Sequence, residues 1–249
     1  MGRVYLVGAG PGAPDLLTLR AARLIEAADV VLHDALVHRD ILALATRARV
    51  IDVGKRYGKV STEQRFINRA LIEAARAHAI VVRLKGGDPM IFGRAQEELD
   101  ALAAAGIEFE VVPGVTAALA AAATLGVSLT RRGVARTVAF LTPRVGKDET
   151  ASEWLPAAMC ADSVILYMAA GASQAIGASL IDAGKDAATP VALVESATLP
   201  EQSHLFTTLG ELRDQALPRA AGPVVMCVGE VFRDRAGIES LSNLIAQNG

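Results

Sequence analysis

Residues 82–94 read Val-Arg-Leu-Lys-Gly-Gly-Asp-Pro-Met-Ile-Phe-Gly-Arg. An apolar run at 80–84 stops abruptly in Lys85, Gly86, Gly87, Asp88 and Pro89, and a further glycine, Gly93, precedes Arg94. Glycine at a strand end lets the backbone approach a ligand closely. A carboxylate in that place can hold a hydroxyl or an amine. A sharp turn with a solvent-facing aspartate accounts for the segment equally well when it is taken alone.

A second glycine loop, Gly8-Ala-Gly-Pro-Gly12, follows an apolar strand and precedes a helical pattern. A dinucleotide fingerprint needs glycines at relative positions one, three and six, and Ala13 occupies the sixth. Pro11 removes an amide that a phosphate cradle would use. No Gly-Lys-Ser/Thr follows, so a P-loop is excluded. The loop reads as the lining of some other ligand, or as a structural turn.

The elements that must position these loops alternate. Residues 4–7, 30–32, 80–84 and 108–112 read as short strands. A helix containing Leu16, Leu19, Ala22, Leu24 and Ile25 follows the first, with Asp15 placed to accept hydrogen bonds from its first turn. Ser61 and Gln64 form a capping-box pattern before an apolar face of Phe66, Ile67, Ala70, Leu71 and Ala74. Residues 95–105 form a further helix. Apolar strands without strict alternation, separated by helices, predict a largely parallel sheet covered on both faces. Pro113 and Gly114 break the rhythm before an alanine-rich helix at 116–125, whose small side chains permit close packing. A second α/β series has strands near 137–142, 163–168, 190–195 and 224–228, with 203–208 as a hairpin or edge strand. The fold class is α/β with two domains, 1–114 and 115–249, and a boundary near 113–118. Residues 243–249 read as a fraying tail.

The 249 residues suffice for this plan, and at 52% hydrophobic but 4% aromatic the core must be Ala, Val and Leu. A net charge of -2 argues against extensive nucleic-acid binding, though not against a local basic patch. Cys160 and Cys227 are far apart, which predicts no disulfide framework, and neither they nor the four scattered histidines have metal-ligand spacing. No apolar run reaches membrane-spanning length, and the opening residues do not form a signal peptide. The expectation is a soluble cytoplasmic protein.

The segments VYLVGAGPGAPDLLTLRA, HDALV, VGKRYGK, VVRLKGGDPMIFGR, EVVPGVTAALAAAATLGVSLTRR and PVALVESATLPEQ together resemble the tetrapyrrole (corrin/porphyrin) methylase family. Within it they are most similar to the short members that methylate uroporphyrinogen III. KGGDP followed by FGR, with VPGVT about twenty residues on, is the specific part. The resemblance spans residues 3 to about 232. It implies two α/β domains with S-adenosylmethionine folded into the cleft between them, and a homodimer. It also implies methylation of uroporphyrinogen III at C2 and C7, giving precorrin-2 for cobalamin and sirohaem biosynthesis, with S-adenosylhomocysteine released. Carried across by motif, the cofactor contacts are Pro11, Gly87, Asp88, Ile91, Thr116, Ala117, Tyr167, Met168, Ala197, Gly222, Pro223 and Val224. Taken by itself, Met168 would be core packing and Thr116 a helix cap.

A substrate with eight carboxylates needs guanidinium and ammonium partners. The candidates are Lys55, Arg56, Arg83, Lys85, Arg94, Arg131 and Arg132; surface solubility is the rival reading for each. Asp34 matches a position in the family's active-site region and is the candidate for assisting proton loss after methyl transfer. The sulfonium is already activated and the pyrrole carbon electron-rich, so in-line positioning supplies much of the acceleration. No metal and no cysteine nucleophile are implied.

Two departures from the family pattern stand out: Arg131 replaces the usual histidine of Leu-Thr-His-Arg, and His33 replaces the tyrosine before Asp34. They bear on substrate preference and proton handling. Alternatives are a methylase for a later precorrin, an RNA methyltransferase of related fold, or a non-catalytic cofactor-binding module. A multifunctional sirohaem synthase is disfavoured, because no dehydrogenase and ferrochelatase domain accompanies these motifs.

Overall fold

The computed structural model describes residues 1–54, 64–145, 153–215 and 220–236. Its contacts group into two compact units, Met1–Ala117 and Ala118–Gly249.

In the first unit, β1 (Arg3–Gly8), β2 (Val30–His33), β3 (Arg49–Asp52), β4 (Ile80–Lys85) and β5 (Phe109–Val112) form one sheet in the order β3-β2-β4-β1-β5. Every pairing is parallel. The helices are α1 (Leu19–Ala27), α2 (Arg39–Leu42), α3 (Gln64–Ala77) and α4 (Ala95–Ala104). Successive strand residues point to opposite faces. Val4, Leu6, Leu32 and Val81 therefore join Ile67, Leu71 and Leu102 in one core. Val7, Val31, Val82 and Leu84 join Ile25 and Ile41 in the other. Burial of both faces explains why these strands read as unbroken apolar runs.

Two local expectations are corrected. Pro14–Leu16 is a 3-10 turn, and the cap of α1 is Thr18, whose side chain accepts from the Ala21 amide at 3.1 Å. Asp15 sits too early, inside the turn. On α3, Ile67, Leu71 and Ala75 are buried but Phe66 is 59% exposed. Ser61 of the expected capping box lies outside the described residues. A full capping box does occur at Thr208 and Glu211, where side chain and backbone bond reciprocally.

The second unit contains α5 (Ala117–Leu125), whose first residue closes the preceding unit, and β6 (Val138–Leu141), α6 (Trp154–Cys160), β7 (Ser163–Tyr167) and α7 (Ser173–Asp182). β8 (Pro190–Glu195), β9 (Ser203–Thr208), α8 (Leu209–Asp214), β10 (Val224–Gly229) and α9 (Arg233–Ala236) follow. The sheet order is β6-β7-β10-β8-β9. Only β6 and β7, joined through α6, pair in parallel; the other three pairings are antiparallel. This second sheet is therefore mostly antiparallel, unlike the first. The short link from β8 to β9 makes a hairpin on the sheet edge, and β10 enters between β7 and β8 from the opposite end. The core is Val164, Leu166, Ile176, Leu180, Val191, Leu193, Leu209, Leu212, Met226 and Val228.

Candidate active site

Parallel strands end together, and in open α/β sheets ligands bind beyond the carboxyl ends. In the first unit β1 ends at Gly8, β4 at Lys85 and β5 at Val112, and each runs into a glycine loop. Gly10 and Gly87 exchange two backbone hydrogen bonds: the Gly10 amide donates to Gly87 at 3.1 Å and the Gly87 amide to Gly10 at 2.7 Å. Both take a left-handed conformation, φ 70° and 68°. A Cβ on Gly114 would stand 2.4 Å from the Gly87 carbonyl oxygen, and one on Gly8 2.6 Å from the Gly114 Cα. Only glycine allows three loops to cross this closely.

Asp88 ties the crossing. Its Oδ1 accepts from the Met90 amide at 2.8 Å and its Oδ2 from the Gly114 amide at 2.9 Å. Pro11, Gly87, Asp88, Ile91 and Ala117 are half-buried and Thr116 is buried. The structure therefore brings Gly87 and Asp88 against the GAGPG loop and places Thr116 and Ala117 beside Gly87; the Thr116 Cα and the Ala117 amide nitrogen are each 3.9 Å from where a Gly87 Cβ would stand.

Asp34 follows β2 at the same edge. Its amide donates to the Leu84 carbonyl at 3.3 Å, and its Oδ1 accepts from Arg83 Nη2 at 2.5 Å. Arg83 and Lys85 are placed otherwise than substrate contacts require: their side chains are 2% and 3% exposed. They share one face of β4 and both reach Oε1 of Glu98, which is fully buried on α4; the Arg83 Nε bond is 3.2 Å and the Lys85 Nζ bond 2.9 Å. Burial, and then the charge of Arg83, push Lys85 below the ordinary lysine range. These two cations serve a buried network.

The other cations are exposed. Arg94, at φ 54°, forms a bidentate pair with Glu97 at 2.7 and 2.8 Å. Arg131 pairs with Asp234 at 2.7 Å. Arg132 is exposed and, with Thr130, Arg131, Ala135 and Arg136, lines a hollow of about 650 Å³. Lys55 and Arg56 lie outside the described residues.

In the second unit Tyr167 ends β7 and Glu195 ends β8, on either side of the start of β10; Val225 pairs with Tyr167 and Val224 with Glu195. Here the turns carry side chains. Met168 at φ 57°, Ser196 at 49° and Thr198 at 72° all occupy the left-handed region, which costs a non-glycine residue on the order of 1–2 kcal/mol. Such strain clusters at active sites and ligand clamps. Met168 is 46% exposed, Ala197 is buried, and Gly222, Pro223 and Val224 form the entry to β10. The Tyr167 hydroxyl accepts from the Ala118 amide at 3.2 Å. Glu195 Oε1 accepts from the Ala221 and Gly222 amides at 2.7 and 2.6 Å, and the Ser196 amide donates to Pro223 at 2.9 Å.

Sequence reasoning missed Glu98 and Glu195. Glu98 was legible: it lies three residues after Ala95 and four before Leu102, both buried, so it is a charge on the apolar stripe of α4. Glu195 carried no such mark. Among the described residues no cluster of His, Cys, Asp and Glu could hold a metal, and no helix is long and apolar enough to cross a membrane.

The sequence matches the model of the Tetrapyrrole (Corrin/Porphyrin) Methylases over residues 3–213. It is 45% identical to a uroporphyrinogen-III C-methyltransferase of Pseudomonas aeruginosa, over 94% of this chain and 95% of that one. It is 46% identical to a sirohaem synthase of Azotobacter vinelandii, but there it spans 94% of this chain and only 51% of the longer relative. Among solved structures, uroporphyrin-III C-methyltransferase of Thermus thermophilus complexed with S-adenosylhomocysteine superposes with a TM-score of 0.83 at 41% identity. That match covers 94% of this chain and all of the other.

Proposed function

Since the chain belongs to the tetrapyrrole (corrin/porphyrin) methylase family, we propose that it methylates uroporphyrinogen III at C2 and C7 with S-adenosylmethionine, giving precorrin-2. The observation that carries this reading is the near end-to-end 45% identity with a relative of that activity. The geometry of the first unit supports this reading: Gly87, left-handed and without a side chain beside Thr116 and Ala117, and Asp88, held by two amides, present a small-residue edge with a directed carboxylate.

Bound there, S-adenosylmethionine supplies an activated methyl group and leaves as S-adenosylhomocysteine. Gly87 and Ala117 give room for the methionine part, with Pro11, Ile91 and Thr116 as walls. Asp88 retains lone pairs for the amino group, because among the described residues each oxygen accepts one amide bond, at 2.8 and 2.9 Å. In the second unit Tyr167, Met168, Ala197, Gly222, Pro223 and Val224 contact the nucleoside. Met168 offers an adaptable apolar surface to thioether and adenine. The substrate carboxylates are taken by Arg94, Arg131 and Arg132, with Lys55 and Arg56 as further partners; guanidinium forks match carboxylates in pairs. Asp34 accepts from pyrrole N–H groups or assists proton loss.

The same reading puts the product in cobalamin biosynthesis, sirohaem biosynthesis or both, and the protein in the cytoplasm, where reduced thiols such as those of Cys160 and Cys227 are normal. A homodimer would cover apolar surface: Leu119, Val134 and Val138 are 53%, 39% and 37% exposed.

Anaerobic mass spectrometry after incubation with S-adenosylmethionine and uroporphyrinogen III tests the reaction. Sequential gain of two methyl groups is expected. No gain, from folded protein that binds S-adenosylhomocysteine, would redirect the search to later precorrins and then to RNA.

A further inference from the structure

The buried charge network of the first unit has an order. Glu98 Oε1 accepts from Gln64 Nε2 at 3.1 Å, Arg83 Nε at 3.2 Å and Lys85 Nζ at 2.9 Å. Its Oε2 is buried and has no hydrogen-bond partner among the described residues. Arg83 Nη1 donates to the Leu84 carbonyl at 3.2 Å, so the planar guanidinium is fixed at two points inside the protein. Its remaining arm, Nη2, reaches Asp34. Exposure rises along this chain, from 0% at the Glu98 side chain through 2% at Arg83 to 30% at Asp34. Two anions and two cations make the cluster neutral when Asp34 is included.

We propose that Glu98 is a positioning residue for methylation, acting through Arg83 to aim the Asp34 carboxylate at the substrate. A buried anion that only balanced charge would need no exposed terminus to its network. Here the terminus is the one group of the four that can meet a ligand. The guanidinium cannot rotate toward solvent without leaving both Glu98 and the Leu84 carbonyl, so the direction of Asp34 is set from α4. This inference rests on the reading that Asp34 works on the substrate.

The test is a double-mutant cycle on the full chain, with turnover measured anaerobically on uroporphyrinogen III and S-adenosylhomocysteine affinity measured by calorimetry. Glu98→Gln removes the charge; Glu98→Asp keeps it and withdraws the oxygen from Arg83, so it remains informative if the glutamine variant does not fold. The expected result is a fall in kcat of roughly 10- to 100-fold for both, the scale of a misplaced reactive group. Cofactor affinity should stay within about twofold, and in an Asp34→Asn background either change should add less than about twofold, the mark of residues acting as one unit. A Glu98→Asp enzyme with undiminished kcat would overturn the proposal, since charge alone would then suffice. Multiplying losses in the double variant would also overturn it, while leaving Asp34 in its role. Undiminished turnover in Asp34→Asn alone would remove that role and the proposal with it.

Discussion

In the first unit the candidate residues lie where parallel strands end side by side; in the second they lie where two strands end and an opposed one begins. The difference changes what builds the site. Ends that share an edge crowd their loops, and Gly8, Gly10, Gly87 and Gly114 cross backbone to backbone with no space for a Cβ at Gly8 or Gly114. Opposed strands leave more room around the turns, and Met168, Ser196 and Thr198 keep side chains there at the cost of left-handed backbone. One surface is made of main chain, the other of side chains. Each is fastened by one carboxylate on two amides, Asp88 in the first and Glu195 in the second.

The largest contrast should come from adding one methyl group to each unit. Gly114→Ala sets a Cβ 2.4 Å from a backbone oxygen, whereas Gly222→Ala meets the Ser196 hydroxyl at 2.1 Å, which can rotate away. Gly114→Ala should cost on the order of 3 kcal/mol or more, and Gly222→Ala about 1 kcal/mol, by thermal melting. Equal losses would erase the distinction between a main-chain and a side-chain site.

Next in size are the two fastenings. Asp88→Ala and Glu195→Ala each strand two amides, at about 1–3 kcal/mol of lost ordering. Asp88→Ala should also weaken S-adenosylhomocysteine binding by roughly tenfold or more, as a charged hydrogen bond is lost. Calorimetry showing unchanged affinity would confine Asp88 to loop architecture.

The last contrast, absent near neutral pH, separates the units by titration. Cys227, in β10, is buried, and burial alone lifts its thiol from an ordinary 9.0 to about 12. Below 9.0 both folded and unfolded thiols are protonated. Between 9.0 and about 12 only the unfolded chain releases the proton, so stability falls by about 1.4 kcal/mol per pH unit. Cys227→Ala should flatten that alkaline slope in denaturant titrations. In the native protein iodoacetamide should modify exposed Cys160 and spare Cys227; fast labelling of both would mean that the second unit opens readily.

Much of this was legible in one dimension. The alternation of apolar runs with helical patterns placed most strands, and residues 190–195 and 203–208 coincide with β8 and β9. Strand direction in the second sheet was not legible, because a strand buried on both faces reads alike in either sense. The motifs located both glycine loops. They also counted Arg83 and Lys85 among cations free for substrate, because sequence adjacency to KGGDP says nothing of what lies above a strand.

The sequence by itself determined the family, the two α/β series and the chemistry that KGGDP and GAGPG permit, since composition and glycine spacing act locally. Tertiary structure alone decided which cations face solvent. Glu98 is 13 residues from Lys85 and 15 from Arg83. Only the return of α4 across the face of β4 brings its carboxylate to both, and a buried charge takes whichever partner the fold delivers.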